Sequence, residues 1–413
     1  MMRSMFSAVS GLRVHQTKMD VIANNIANVN TVGFKSGRVT FNEVFSQTIS
    51  GATAANPEFG RGGVNPKQIG LGASVASIDN LMTQGASQRT DNALDLMIQG
   101  DGFFIVGDST GTYFTRSGVM SLDASGRLVN SSGLQLYGWD AIDDTTNPGQ
   151  QIIEKGKTVP IVISSSKEYL DPTTTKNISL TGNLNNSDLE EVPRTVAFFD
   201  TLGNRYTIDI NLKWDATGKK WDYSFSQDMY LNNDRTKPIN IGNIGWGSMS
   251  FDINGKPIAP TSTTITVPFT NLSPNAEIGN NGVINIDFSD LTQFGNEVTT
   301  MKSNTLDGYA PGQLSGLSVG TDGIITGRYT NGLTKKLAQI PIANFKNPAG
   351  LEKVGDNLYV PSANSGDFDG VGVDIGSTGG KLMGGVLEMS NVDLSTEFTE
   401  MITTQRGFQA NSR

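Results

Sequence analysis

The sequence predicts a mainly β protein with terminal α-helices, in which nested β domains are carried on a coiled-coil stem formed by the two ends of the chain. Two observations predict this architecture. At both ends, apolar residues recur alternately four and three positions apart, which is the spacing of a helix that pairs with another helix. Between the ends, apolar and polar residues alternate with a period of two, which is typical of strands with one buried face.

The front helix is predicted to run from about residue 4 to about residue 28. Gly11 is expected on its exposed side, where glycine costs about 1 kcal/mol relative to alanine. The helix is expected to end where Asn30 and Gly33 can adopt left-handed backbone geometry. Its apolar stripe consists of Met2, Met5, Val9, Leu12, Gln16, Met19, Ala23 and Ile26.

The back of the chain carries a similar stripe, which consists of Leu387, Asn391, Leu394, Phe398, Met401, Gln405 and Phe408. Burying about seven front-stripe side chains yields roughly 10–20 kcal/mol. Ordering roughly 25 residues costs at least as much, so we expect both ends to stay unfolded until neighbouring copies cover them. The predicted assembly interface consists of Met5, Val9, Leu12, Met19, Ile22, Ile26, Leu394, Phe398, Met401, Ile402 and Phe408.

The pattern of strands after residue 298 is similar to that of residues 75–137, which predicts that the middle of the chain is an insertion within a β domain. The connector is expected to be extended or a hairpin over residues 34–50 and a long exposed loop over residues 51–72. The predicted parts are a helical assembly domain (1–30 plus 387–413), an extended connector (31–72 plus 375–386), a β domain (73–146 plus 298–374) and an inserted outer β domain (147–297).

The inserted domain contains the clearest strand pattern of the chain. Apolar residues alternate strictly with polar ones on both sides of a turn predicted at residues 215–218, which indicates a hairpin with one buried face. The alternating residues are Tyr206, Ile208, Ile210, Leu212 and Trp214, then Trp221, Tyr223 and Phe225, and further on Ile284, Ile286 and Phe288.

No residue pattern predicts an active site, a cofactor or a metal ion, so the chain is not expected to be an enzyme. His15 is the only histidine, and it lies on a helix without the nucleophile on a tight turn that a catalytic relay needs. We expect it to be a half-exposed polar residue. Asp367, Asp369 and Asp374 lack the closing glutamate of a calcium loop, so a solvated turn is the better interpretation.

Two further motifs are also expected to be structural. Asp140, Asp143 and Asp144 fit a surface loop. Gly100 and Gly102 resemble part of a phosphate-binding loop, but no helix is predicted after them to supply the N-terminal amides.

Composition excludes several classes of partner and chemistry. The 413 residues include no cysteine, which excludes disulfides, thiolate metal sites and a cysteine nucleophile. The formal net charge of −9 argues against nucleic-acid binding, which needs clustered Lys and Arg. No apolar run approaches the ~18 residues that membrane insertion requires, and none resembles a secretory signal. These features alone would predict a cytoplasmic protein.

Both ends of the chain resemble those of bacterial flagellar rod and hook proteins. The most specific stretches are Asn24-Asn25-Ile26-Ala27-Asn28 and Gln405-Arg406-Gly407-Phe408-Gln409-Ala410-Asn411. Within that family, residues 100–104, 307–312 and 337–345 are similar to the hook members. The connector motif consists of Asn24, Asn25, Asn28, Gly33 and Phe34.

The resemblance implies a structural subunit that self-associates into a helical tube, a flexible universal joint that transmits torque from the rod to the filament. It also implies contact with the distal-rod protein, the hook cap protein and the hook–filament junction protein. Export through the type III apparatus without a cleaved signal peptide is implied too, which would place the chain in the extracellular hook. Relatives continue beyond the position of Arg413, so we expect that the sequence is cut short there.

Two alternatives remain open on sequence alone. A distal-rod subunit is disfavoured because rod members lack a middle domain at residues 147–297. A secreted β-rich carbohydrate-binding module would use exposed aromatic residues such as Trp246, although ordinary strand packing is the expected role of that side chain.

Overall fold

The computed structural model describes residues 2–54, 62–144, 151–187, 190–242, 245–268, 276–279, 282–295 and 298–413. The chain divides into two compact units. The first unit comprises Met1–Ser164, Leu317–Gly327 and Lys335–Arg413, and the second comprises Ser165–Gly316 and Arg328–Thr334.

Helices lie at both ends of the chain, as the apolar spacing predicted. They are α1 (Met2–Ala27), the short α2 (Ser165–Glu168) and α3 (Leu394–Ser412), with 3-10 turns at Pro348–Gly350 and Ile375–Thr378. Asp393 is the N-cap of α3, and its side chain accepts a hydrogen bond from Ser395 N at 3.0 Å. Of the two residues expected to be left-handed, Gly33 has a φ of 71°, whereas Asn30 is absent from the positive-φ residues, so that prediction is wrong for Asn30.

The first part of the first unit is a series of short strands. They are β1 (Gly37–Glu43), β2 (Ser46–Ser50), β3 (Lys67–Gly70), β4 (Ala73–Asn80), β5 (Ser87–Arg89), β6 (Leu96–Gln99), β7 (Phe103–Gly107), β8 (Thr112–Thr115), β9 (Met120–Leu122), β10 (Leu128–Asn130), β11 (Gln135–Asp143), β12 (Gln151–Ile153) and β13 (Val159–Pro160).

The connector strands pair over longer distances than the sequence suggested. β1 pairs antiparallel with β4, and β2 pairs antiparallel with β3. Residues 34–50 therefore contain extended strands, the first of the two predicted forms, and do not form a local hairpin. The predicted loop at 51–72 contains β3 and an isolated bridge between Thr53 and Val64, while its residues 55–61 lie outside the described residues.

The second unit contains the middle strands and two sheets. Its strands are β14 (Tyr169–Leu170), β15 (Asn177–Leu184), β16 (Val192–Phe199), β17 (Arg205–Asp215), β18 (Lys220–Leu231), β19 (Pro238–Asn240), β20 (Trp246–Phe251), β21 (Pro257–Ala259), β22 (Ser262–Thr266), β23 (Val283–Gln293) and β24 (Lys302–Leu306). One sheet has the order β22-β23-β15-β24, and the other has the order β16-β17-β18-β20-β21.

Apolar residues of both sheets form one core in the second unit. The predicted hairpin is present, because β17 pairs antiparallel with β18 and Trp214 lies opposite Trp221. The residues predicted to alternate inward are buried, with Ile208 and Ile286 fully inaccessible, except that Trp214 is only partly buried. A period of two thus predicted correctly which side of each strand faces the core.

The remaining strands return the chain to the first unit. They are β25 (Gly312–Val319), β26 (Ile324–Tyr329), β27 (Thr334–Gln339), β28 (Ile342–Ala343), β29 (Glu352–Gly355), β30 (Leu358–Val360), β31 (Lys381–Gly384) and β32 (Val386–Glu388). Several complete the sheet of the β domain, in which β27, β11, β7, β8, β30 and β29 are successive neighbours. The chain therefore does enter and leave the second unit between two halves of the first.

The boundaries of the units differ from the predicted ranges. Residues 151–164 belong to the first unit, because β12 and β13 pair with β11. Residues 298–316 belong to the second unit, because β24 pairs with β15. The same pairing places Asp140 and Asp143 within β11 rather than in the predicted surface loop.

Candidate assembly site

The terminal helices α1 and α3 pack side by side in the first unit and run antiparallel. Lys18 Nζ forms a salt bridge with Glu400 Oε2 at 3.0 Å, and Asn25 Nδ2 donates a hydrogen bond to Glu397 Oε1 at 3.0 Å. Along the contact, residue numbers on α3 fall as those on α1 rise, so the two helices point in opposite directions.

Glycines allow a close approach at two places along this contact. A Cβ on Gly11 would lie 2.7 Å from Asn411 Nδ2, and a Cβ on Gly407 would lie 2.9 Å from two ring atoms of His15. At such distances a methyl group could be accommodated only if the side chain of Asn411 or His15 shifted. The prediction that Gly11 is on the exposed side is therefore wrong, because the glycine faces the partner helix.

We call the set of polar and small residues in this contact the inter-helix seam. On α1 they are Gly11, His15, Lys18 and Asn25, and on α3 they are Glu397, Glu400, Gly407 and Asn411. Each member of the seam except Asn411 is adjacent in sequence to a predicted stripe residue, and one position rotates a side chain by about 100° around a helix. The predicted stripes therefore lie beside the seam.

The predicted interface residues consequently differ in exposure. Ile22 is buried, and Leu12, Met19, Ile26, Met401 and Phe408 are half-buried. The exposed members are Met5, Val9, Leu394, Phe398 and Ile402, with Met5 65% and Phe398 49% accessible. Two residues of the back stripe lie before α3 begins: Leu387 is buried in β32, and Asn391 lies in the segment between β32 and α3.

Glu397 is the seam residue whose pKa is shifted. Burial raises the pKa of Glu397 above its ordinary value, and the negative charge of Glu400 adds to the effect, while the hydrogen bond from Asn25 opposes it. His15 is half-buried, as expected, with its ring 6.1 Å from that of Phe41 in an edge-on arrangement.

The connector motif links α1 to the β structure through Asn25. Asn25 Nδ2 donates to Gly37 O at 2.9 Å, and Gly37 N donates to Asn25 Oδ1 at 2.9 Å, so one buried side chain satisfies both backbone groups of a residue in β1. Asn28 Nδ2 donates to Asn24 O at 2.9 Å near the end of the helix, and the side chain of Asn24 itself is exposed.

Gly33 and Phe34 are packed against the β domain. A Cβ on Gly33 would lie 2.6 Å from Ser117 N, so this left-handed residue also allows close contact between backbones. Phe34 is buried, with Lys353 Nζ 4.9 Å from the centre of its ring.

Next to this motif lies a buried charge cluster that sequence reasoning missed. Lys35 Nζ lies 2.6 Å from Glu388 Oε1, and Arg116 Nη1 lies 3.5 Å from Glu388 Oε2. All three side chains are at most 3% accessible. Burial lowers the pKa of both Lys35 and Arg116, and attraction to Glu388 opposes the effect. Without local spacing to link positions 35, 116 and 388, only the tertiary structure could identify this cluster.

Asn391 extends the cluster. Ser36 N donates to Asn391 Oδ1 at 2.8 Å, and Asn391 Nδ2 donates to Leu81 O at 2.8 Å. We call the combined set the connector clasp, and it consists of Gly33, Lys35, Ser36, Leu81, Thr83, Gly85, Arg116, Glu388 and Asn391.

The aspartates weighed as a calcium loop make contacts within the chain. Asp369 Oδ1 accepts from Val371 N at 2.9 Å, and Asp374 pairs with Lys155 at 2.7 Å. Trp246 is 79% accessible, so the expectation that it packs within the sheet is wrong. Within the described residues, no helix has both the length and the apolar character needed to cross a bilayer.

Comparison with known proteins defines the class. A family model described as flagella basal body rod protein matches residues 5–35, and one described as flagellar basal body rod FlgEFG protein C-terminal matches residues 383–413. Models of the flagellar hook protein FlgE/F/G D1 domain and the flagellar basal body protein FlaE D2 domain match residues 97–184 and 169–309. The class is thus that of flagellar rod and hook subunits, as the terminal motifs indicated.

The chain belongs to the flagellar hook protein family. It is 38% identical over 441 residues to flagellar hook protein FlgE of Borreliella burgdorferi, a match that covers 100% of the chain and 96% of the relative. It is 33% identical to flagellar hook protein FlgE of Escherichia coli, with 98% and 95% covered. The crystal structure of Helicobacter pylori flagellar hook protein FlgE2 aligns at a TM-score of 0.49 and 14% identity, covering 71% of this chain and 98% of that one.

Proposed function

We propose that the exposed apolar residues of α1 and α3 are covered by the same helices of neighbouring copies, so that the chain polymerises into the hook tube. The observation that supports this proposal is the separation of two faces. The inter-helix seam joins the helices of one copy through polar and small residues, while Met5, Phe398 and Ile402 remain exposed beside it. Exposed apolar residues that lie together beside a polar contact are typical of an association surface.

The same division supports coupling between folding and assembly. Among the described residues, Val14 and Ile22 are the only buried apolar residues of the two helices, whereas ordering each helix costs roughly 1–2 kcal/mol per residue. Burial of the stripes between copies would supply the missing free energy. We therefore expect the helix pair to be weakly ordered in a dilute monomer and well ordered in the polymer.

The proposed tube acts as a bendable joint that transmits torque from rod to filament. Bending requires contacts that slide, and we assign these to the polar, turn-rich second unit, because small polar contacts have many arrangements of similar energy. The chain contains no cysteine, so pairs of cysteines can be introduced between neighbouring outer domains without competing thiols. Cross-linking should straighten or stiffen the tube, and unchanged curvature would count against sliding contacts.

Membership of the hook family supports four further assignments. The distal-rod protein would contact the base of the tube, and the hook cap protein would contact its growing end. The hook–filament junction protein would follow the last hook subunit. Export would use the flagellar type III apparatus, which would place the polymer outside the cell without a cleaved signal peptide.

A charge placed in the stripe tests the assembly proposal. Phe398→Glu puts a carboxylate on an exposed position of α3, so the monomer should fold normally while stripe-to-stripe contact becomes unfavourable. Gln409→Glu is the matched control, because it adds the same charge to an exposed polar position of the same helix. Electron microscopy under polymerising conditions should show tubes for the control only. Equal polymerisation of both variants would refute the proposal.

A further inference from the structure

We propose that the connector clasp is a conformational lock: the C-terminal segment 386–391 must dock before the N-terminal connector, residues 31–43, can hold its fold. The two parts are separated by most of the chain, yet they meet in one small region of the first unit. Glu388 and Asn391 supply from the C-terminal side the groups that the N-terminal side lacks.

The first argument for the lock is that backbone amides of the N-terminal part donate hydrogen bonds to Glu388 and Asn391. Gly33 N donates to Glu388 O at 2.8 Å, and Gly85 N donates to Glu388 Oε1 at 2.9 Å. Ser36 N donates to Asn391 Oδ1 at 2.8 Å. Gly33 and Ser36 are themselves buried, so loss of the C-terminal segment would leave their amides without these acceptors in an interior site.

The second argument for the lock is the buried charge of Glu388. Glu388 is the carboxylate shared by Lys35 and Arg116, and its side chain is fully inaccessible. Removing the shared anion leaves two buried cations with only the charge of Asp101 acting on both, and a buried charge that has lost its close partner favours opening of the structure around it. Lys35 can reach water only if the connector moves away from the β domain.

The same contacts extend to the chain beyond β4. Lys35 Nζ donates to Thr83 O at 2.7 Å, and Asn391 Nδ2 donates to Thr83 Oγ1 at 2.9 Å and to Leu81 O at 2.8 Å. Opening of the clasp should therefore release residues 31–43 and 81–89 together. By contrast, β7 and β8 pair with each other, so they should keep their structure.

A lock of this kind would control whether α1 has a fixed direction relative to the β domain. With the clasp closed, α1 leaves the β domain in one direction, because Asn25 is bonded to Gly37 and the connector is held by Glu388. With the clasp open, α1 is tethered but not oriented. This consequence for assembly rests on the proposed function, whereas the lock itself is a property of the single chain.

Hydrogen exchange measured by mass spectrometry on the dilute full chain tests the lock. Glu388→Gln keeps an acceptor for Gly85 N but removes the charge that Lys35 and Arg116 share. We expect exchange in residues 31–43 and 81–89 to rise on the order of 100-fold, with β7 and β8 unchanged. Asp91→Asn is the matched control, because Arg89 and Asp91 are also 2.6 Å apart but are 82% and 75% accessible, so exchange should stay at the wild-type rate.

A second variant keeps the test decisive if Glu388→Gln fails to fold. Asn391→Ala removes the side chain that accepts from Ser36 N and donates to Leu81 O, and it should raise exchange in the same two regions by a smaller factor. Faster exchange confined to 385–392 would overturn the proposal, as would an equal rise in β7 and β8. Because exchange is measured on unassembled protein, failure of the lock is distinguishable from failure of stripe-mediated polymerisation.

Discussion

Lys35 Nζ and Glu388 Oε1 lie 2.6 Å apart although 353 positions of sequence separate them, and both side chains are almost completely buried. This pair joins the residues that follow α1 to those that precede α3. The two ends of the chain are therefore held together twice, by a buried charge at the base of the stem and by the polar seam along it.

Gly407→Ala should destabilise the helix pair although alanine favours helices. The added Cβ would lie 2.9 Å from ring atoms of His15, so the half-buried ring or the helix must shift, at a cost of about 1–3 kcal/mol. That cost exceeds the gain of about 1 kcal/mol in helix propensity. Thermal unfolding of the polymer, in which the helix pair is expected to be well ordered, should show the loss when followed by circular dichroism. The double variant Gly407→Ala/His15→Ala should recover it, and a double variant as unstable as the single one would contradict this explanation.

Glu397→Gln should remove a pH dependence of the helix pair. Burial raises the pKa of Glu397 above 4.5 in the folded protein, so its contribution to stability is fully present below the unfolded pKa and is lost as pH rises through the folded pKa. The neutral glutamine can still accept from Asn25 Nδ2. At neutral pH the variant should be more stable than the wild type by less than about 1 kcal/mol, with the gap closing on acidification. The free energy of unfolding should be measured against pH on the polymer, in which the helix pair is expected to be ordered, and parallel curves for the two proteins would rule this out.

Tyr359 should titrate late in the folded protein. Burial raises its pKa to about 12, whereas an exposed tyrosine titrates near ~10. The buried phenol therefore contributes stability that is fully present below the unfolded pKa and is lost as pH rises through the folded pKa. Tyr359→Phe should flatten the fall in the free energy of unfolding over that alkaline range. Tyrosinate absorbance should show one fewer late-titrating group in the variant, and an unchanged absorbance titration would contradict the assignment.

Trp221→Ala should destabilise the second unit without loosening the first. Trp221 is fully buried in the core shared by the two sheets of that unit, and truncation of such a side chain costs about 3–5 kcal/mol. Trp221→Phe should cost much less, because Trp221 Nε1 is buried without a hydrogen-bond partner among the described residues and phenylalanine has no such group. Hydrogen exchange should rise in strands of both sheets of the second unit, such as β17 and β23, with β7 and β8 unchanged. If Trp221→Ala and Trp221→Phe lowered the free energy of unfolding equally, loss of side-chain volume would not be the main cause of the destabilisation.

Local periodicity predicted the elements well where one face of an element is buried. The β17–β18 hairpin, the inward side of β23 and the helical ends all follow from spacing alone, because the side-chain period of a strand or helix is a local property. The connector was predicted poorly. β2 and β3 are exposed along nearly their whole length, so burial imposes no pattern on them that sequence reasoning could detect.

The stripes illustrate the limit of the same reasoning at the candidate site. Spacing identified the helices and the rows of apolar residues, but it assumed that those rows would be the surfaces in contact. Within one copy, the contact instead uses Gly11, Lys18, Glu400 and Gly407, which no apolar pattern marks. A search for glycines and opposite charges at the same three-and-four spacing would have found this seam.

By itself, the sequence determined the helical ends, the β body, the alternation that builds the core of the second unit and the resemblance that placed the chain among flagellar rod and hook subunits. Only the tertiary structure decided which face of each terminal helix meets the other, and that Lys35, Arg116 and Glu388 share one buried site. The physical reason is that periodicity reports whether a face is buried, whereas the identity of its partner depends on contacts between residues that are distant in sequence.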